Sequence, residues 1–398
     1  MLDASPPQRS RALPSLTGMR FVAALLVFIA HVSAAWMFTD QSLNKGLSTY
    51  LGMFGSLGVS FFFLLSGFVL TWSARDGDRP ARFWRRRLTK IYPMHFVTWV
   101  AALLLGLAAG QALTAGQFLP GLFLVQTWVP DPLVLNGVNS PAWSLSVELV
   151  FYLCFPVLIG MVKKIRPERL WWWAGAMVLG ALLVATAAET LLPHVTVPSL
   201  KYGWLQFWIV YFVPVSRLFE FGLGILLARI VMTGRWIPVN RWLAALTLIP
   251  GYLLSLWIPT THGVVLPVLV PLGLTVASWA HADAEGRTSP LGGRTMVWLG
   301  EISFAFYMLQ LVVGPVGPAK YGSRQQWDTG EALLRATGWL ALTIVLAWIL
   351  YRTVELPMVK RWSRPRRRPQ SQAVPLVPAP APVSERSDVV DRPPTPAS

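Results

Sequence analysis

Apolar windows of roughly 18 to 22 residues recur along this chain, separated by short polar connections, and that recurrence leaves few folds open. A bilayer core about 30 Å thick is crossed by about 20 helical residues. Lipid offers no partner to a free peptide group, so a spanning segment must satisfy its own backbone hydrogen bonds. The spacing predicts an all-α polytopic membrane protein, a bundle of about ten transmembrane helices near 19–38, 54–73, 91–110, 143–162, 170–190, 205–228, 242–259, 264–281, 296–316 and 333–352. A 54% hydrophobic content against 13% charged residues places the chain outside the range of soluble enzymes.

The net charge of +16 would suit a nucleic-acid ligand if it formed a patch, but it does not. The basic residues gather in short connections: Arg75 to Lys90, Lys163 to Arg169, Arg229 to Arg241, Arg287, Arg294 and the stretch after Arg352. With ten helices these share one side, against Lys45, Lys201, Lys320, Arg324 and Arg335 on the other, so the positive-inside rule predicts both termini in the cytosol. A transmembrane domain is expected over 13–362, between a short segment 1–12 and a disordered Pro- and Arg-rich tail over 363–398. Small residues at Val32-Ser33-Ala34 imitate a leader cleavage site, but the apolar run continues through Trp36 and Phe38 and reads as a span. The long external connection near 111–142 holds GQFLPGLFLVQTWVP, too short and Pro-punctuated to cross, so a re-entrant or interfacial segment is expected. Cys154 stands alone, which excludes a disulfide framework.

Burying an ionisable group in a span is costly, so those that occur there carry the functional reading. Arg20 and His31 lie eleven residues apart in the first span, three helical turns plus about 20°, on one face and roughly 16 Å apart. Arg20 is expected near a membrane surface, able to hold an anion. His31 is expected near mid-bilayer, where an imidazole moves protons. RPARFWRRRLTKIYPMH crowds Arg82, Arg85, Arg86, Arg87 and Lys90 at the basic mouth, a density that calls for anionic lipid headgroups or the phosphates of a nucleotide-like cofactor. In NSPAWSLSVELVFYLCFP, Ser144, Glu148 and Tyr152 follow at four-residue steps as a polar stripe. Glu148 reads either as half of a structural ion pair or as the group that orients or protonates the histidine. Arg217 and Glu220, at i and i+3, read as a mutual salt bridge or as support for a site. Gly222, Gly224, Ser66 and Gly67 read as helix packing. His194, His262 and His281 lack metal-ligand spacing, and GxSxG is absent.

In this order these elements resemble the membrane acyltransferase-3 family of bacterial integral-membrane O-acyltransferases, over about residues 13–357. LPSLTGMRFVAALLVFIAH is similar to the family's opening, with Arg20 and His31 on its paired Arg and His. FFFLLSGF, RRRLTKIYP, WSLSVELVFYLCFP, RLFEFGLG, ISFAFYML and VELP resemble later blocks. Two positions depart: the family's Arg-x-x-Arg reads Arg87-Leu88-Thr89-Lys90, and Gln310 stands where many relatives carry His. The resemblance implies an enzyme of the bacterial cell membrane that moves an acyl group, commonly acetyl, from acyl-CoA to a hydroxyl of a glycan, lipid-linked sugar or secondary metabolite such as a macrolide. No bound cofactor or metal and no nucleic acid is implied. On that reading Arg20, Arg82, Arg86, Arg87 and Lys90 hold CoA phosphates, His31 is the general base and Glu148 fixes its tautomer. Ser144, Tyr152, Arg217 and Glu220 support substrate or structure. Direct attack by the acceptor is favoured over an acyl-histidine. Buried Arg, His and Glu also suit a proton-coupled small-molecule exporter, although the related halves common in carriers are missing.

Overall fold

A computed structural model describes residues 12–75, 77–195, 202–314 and 325–362. Most of the 1–12 segment and the whole 363–398 tail, expected to be disordered, lie outside the described residues. The elements are α1 (Pro14–Ala34), α2 (Gln41–Leu51), α3 (Phe54–Trp72), α4 (Pro80–Ala108), α5 (Ala115–Leu122), α6 (Pro132–Asn136), α7 (Trp143–Lys163), α8 (Leu170–Leu191), α9 (Trp204–Phe207), α10 (Pro214–Met232), α11 (Arg241–Leu246), α12 (Leu248–Trp257), α13 (His262–Ala284), α14 (Arg294–Val313), α15 (Thr329–Leu350) and α16 (Leu356–Trp362). Among the described residues no strand forms, and nine helical segments are long and apolar enough to cross a bilayer. The chain is a multi-pass helical membrane protein.

The seventh apolar segment, expected as one helix over 242–259, is broken at Thr247 into α11 and α12. Pro250 has no N–H to give the Leu246 carbonyl, so the first piece stops there. The first span runs earlier than expected, over Pro14–Ala34 instead of 19–38. Pro14 opens it at a position where a missing N–H costs nothing. The carboxylate of Asp283, from the end of α13, caps it by accepting from Ser15 N at 2.9 Å and Ser15 Oγ at 2.5 Å. The connection near 111–142 forms the short helices α5 and α6 around a tight turn at Gln126–Trp128, with Phe123, Trp128 and Leu133 exposed. None of these pieces is long enough to cross, as expected of an interfacial segment.

Helix α3 lies at the centre: Leu64 and Phe68 are fully buried, and apolar clusters pack on both its sides. Its closest neighbour is α10. A Cβ on Gly224 would sit 2.0 Å from the Leu64 carbonyl oxygen, and one on Gly67 would sit 2.0 Å from that of Phe221. Only two glycines let the backbones meet this closely, the small-residue packing expected of these positions. Helices α1, α4, α7 and α14 complete the ring around the inner face of α3.

Candidate functional site

Between α1, α3, α4, α7 and α14 lies a cavity of about 150 Å³. Helix α4 enters it with one face. Phe83 is buried and anchors that face, while Arg87 and Lys90, one and two turns on, line the cavity. From α7 the whole predicted stripe, Ser144, Glu148 and Tyr152, faces in. Helix α1 contributes Arg20, α3 contributes Ser66, and α14 contributes Ser303 and Tyr307.

Several of these polar groups are held by hydrogen bonds. Glu148 accepts a hydrogen bond from the Tyr152 hydroxyl one turn along, and another from Ser66 Oγ at 3.3 Å. Ser66 therefore serves the cavity and not packing alone, which corrects its sequence reading. Ser144 Oγ donates to the Pro141 carbonyl at 3.0 Å. The Arg87 guanidinium lies 5.4 Å from the Phe83 ring and 5.9 Å from that of Tyr152, and its Nε has no partner. Trp84 Nε1 donates to the Tyr152 carbonyl at 2.9 Å and locks α4 to α7. Three cations thus face one lining carboxylate in a largely apolar chamber, an arrangement that attracts an anion.

Other predicted residues lie elsewhere. Arg82 and Arg86 do not line the cavity. Arg82, the residue before Phe83, is exposed, and Arg86, although one turn on from Phe83, is held by its pairing with Asp78. That pairing, helped by Arg82 and Arg75, holds the Asp78 carboxyl below its usual range. His31 lies one turn from the end of α1, not midway along the span, because α1 starts and stops earlier than expected. It does not share the cavity with Arg20. Three turns of helix separate the two, and the rings of Phe62 and Tyr307, 5.9 Å apart and edge to face, are among the residues that line the chamber. Nor does Glu148 reach the imidazole. The side chain facing His31 is Gln310, whose Nε2 donates to the Tyr307 carbonyl at 3.1 Å. The Gln310 backbone carbonyl accepts from Trp339 Nε1 at 2.7 Å, while Gln310 Oε1 and His31 Nδ1 are both buried without a hydrogen-bond partner.

Arg217 and Glu220 form their own closed ion pair, 3.1 Å apart and each 1% exposed, outside the cavity. Ser60 and the rings of Phe63 and Tyr211 surround the guanidinium. His262 bonds to Thr186 and Thr260, and His281 pairs with Glu285 and not with the neighbouring Asp283. Among the described residues no cluster of His, Cys, Asp or Glu could hold a metal ion. Sequence reasoning passed over three groups: Tyr307; His95, fully buried with Nε2 3.3 Å from the Leu122 carbonyl oxygen; and Glu355, 7% exposed. The signal for the last two was present, since each is an ionisable residue within an apolar run.

A family model described as an acyltransferase domain matches residues 13–352. Acyltransferase MdmB of Streptomyces mycarofaciens is 36% identical over 97% of this chain and 100% of its own length. Nodulation protein 10 of Rhizobium leguminosarum bv. viciae is 30% identical over 43% of this chain and 47% of its own. Peptidoglycan O-acetyltransferase OatA of Listeria monocytogenes is 23% identical over 87% of this chain, which spans 56% of OatA. No solved structure matches.

Proposed function

This chain belongs to the membrane acyltransferase-3 family and is an acyltransferase; from that premise we propose that it transfers a short acyl group, acetyl or similar, from acyl-CoA to a hydroxyl. The acceptor is a carbohydrate, a lipid-linked glycan or a secondary metabolite such as a macrolide. The observation that carries the donor half is the convergence of Arg20, Arg87 and Lys90 from two helices on one chamber. Arg87 presents a planar fork and Lys90 a point charge, which together suit phosphate oxygens at different angles. The basic mouth faces the cytosol of a bacterial cell, where CoA is found. Arg82, exposed at the mouth, is left to attract the donor from a distance, while Arg86 is engaged with Asp78.

The acyl-pantetheine arm runs from this chamber past Tyr307 and Phe62 toward His31, along the face of α1 that Arg20 and His31 share. His31 takes the proton of the acceptor hydroxyl as that oxygen attacks the thioester carbon, and CoA leaves as the thiol after protonation. Gln310, and not Glu148, is the polar side chain beside the ring in this scheme. Glu148 instead fixes the Tyr152 hydroxyl beside Arg87.

The test uses membranes holding the full chain, labelled acetyl-CoA and an added acceptor pool, with transfer read by mass increase of the acceptor. His31→Ala is expected to abolish transfer while the protein still inserts, and Arg20→Ala to raise the KM for acetyl-CoA more than that for the acceptor. Wild-type turnover by His31→Ala removes the base from this scheme. An Arg20→Ala effect confined to the acceptor moves the donor elsewhere.

A further inference from the structure

Helix α15 buries a regular stripe, Ala332, Trp339, Thr343 and Ala347. In an unbroken α-helix Val354, two turns beyond Ala347, would continue it. A π-turn over Tyr351–Glu355 intervenes. Its wider loop takes up an extra residue, so Glu355 and not Val354 comes inward: Glu355 is 7% exposed and Val354 is only half-buried. The π-turn and the following α16 pack against α4, the helix that carries Lys90. Glu355 Oε2 is buried with no hydrogen-bond partner. The cations acting on this carboxylate are Lys90 and then Arg20, with Glu301 as the nearby like charge. A carboxylate with an unbonded oxygen in an apolar span is costly, and the field of the two cavity cations offsets part of that cost.

We propose that Glu355 is the built-in counter-ion of Lys90 and Arg20, which the anionic headgroup of the donor must displace. This rests on the donor site proposed above. Before donor binds, Glu355 and Glu148 together nearly balance Arg20, Arg87 and Lys90. When phosphates arrive, they take over the cations against the pull of Glu355. The carboxylate thus weakens donor binding and hastens the exit of spent CoA, and it is a positioning residue with no contact to the reacting atoms.

The experiment compares the full-length wild type with Glu355→Gln, Glu355→Asp, Lys90→Met and the Lys90→Met/Glu355→Gln pair. It measures binding of inorganic pyrophosphate and steady-state kinetics with acetyl-CoA. Glu355→Gln is expected to bind pyrophosphate about tenfold more tightly, from the loss of one unit charge several ångströms away in a protein-like dielectric. KM for acetyl-CoA and kcat should fall together as product release slows, and Glu355→Asp should restore wild-type behaviour. A residue that merely holds α16 in place would instead raise KM. Unchanged or weaker pyrophosphate binding in Glu355→Gln overturns the inference. If Glu355→Gln does not assemble, the pair replaces it: tighter binding than Lys90→Met alone supports the counter-ion, and equal binding overturns it. Lys90→Met that binds pyrophosphate as well as wild type overturns the donor site itself, whatever Glu355→Gln does.

Discussion

Removing either half of the Arg217–Glu220 pair should cost far more stability than removing both. The two side chains are 1% exposed and 3.1 Å apart on one turn of α10. The guanidinium has one further bond, to Ser60 Oγ at 3.1 Å, and two ring faces, Phe63 at 5.0 Å and Tyr211 at 5.1 Å. Glu220→Gln leaves a buried cation with no opposing charge, a change worth about 3 to 5 kcal/mol against the fold. Arg217→Met leaves a bare buried carboxylate, at a similar cost, and also forfeits two cation–π contacts of about 1 kcal/mol each. The double variant Arg217→Met/Glu220→Gln buries no charge and loses only packing and those ring contacts, about 1 to 3 kcal/mol. The assay is thermal unfolding of purified protein in detergent, followed by size-exclusion after heating, with acetyl transfer measured on the folded fraction. The expected order is wild type above double variant above either single, with transfer by the folded double variant within a fewfold of wild type. A double variant as unstable as the sum of the singles would refute the charge argument. A stable double variant without activity would refute the structural assignment of the pair.

Gly224→Ala should destabilise the bundle by about 1 to 3 kcal/mol or more, since overpacking at a closed contact forces backbone movement. Its Cβ would meet the Leu64 carbonyl oxygen at 2.0 Å, so Tm should fall, and activity should fall with it because Ser66 lies on the displaced stretch of α3. A wild-type Tm would show that α3 and α10 are not in contact there. The Arg86–Asp78 pair gives a pH prediction. Asp78 is held below its usual value of 3.8, first by the hydrogen bond from Arg86, so the pair is intact above that value and is lost as pH falls through the depressed one. Limited proteolysis of the α3–α4 connection should be flat from neutral pH to about 5 and rise only in stronger acid. A rise beginning near neutrality would show that another group holds this loop.

Much of the site is legible in the sequence. The four-residue spacing of Ser144, Glu148 and Tyr152 put them on one face, and all three line the cavity. The direction of the α4 cations was not legible, because five cations in nine residues cannot all share a face and the motif does not mark which do. Phe83 decides it, by burying and turning Arg87 and Lys90 inward with it. The partner of Glu148 was likewise out of reach: its hydrogen bonds run to Tyr152 on its own helix and to Ser66 on α3.

What the sequence determined by itself was the helical, membrane-spanning class and nearly every span. Apolar length and the need to close peptide hydrogen bonds within a segment are local properties that no neighbour alters. Tertiary structure alone decided which ionisable groups meet. A helix fixes relative angles along its own axis but not what stands opposite, so the shared face of Arg20 and His31 yielded one chamber at Arg20 and a separate contact between His31 and Gln310. The π-turn that buries Glu355 makes the same point, since its extra residue re-phases the helix in a way that apolar periodicity does not show.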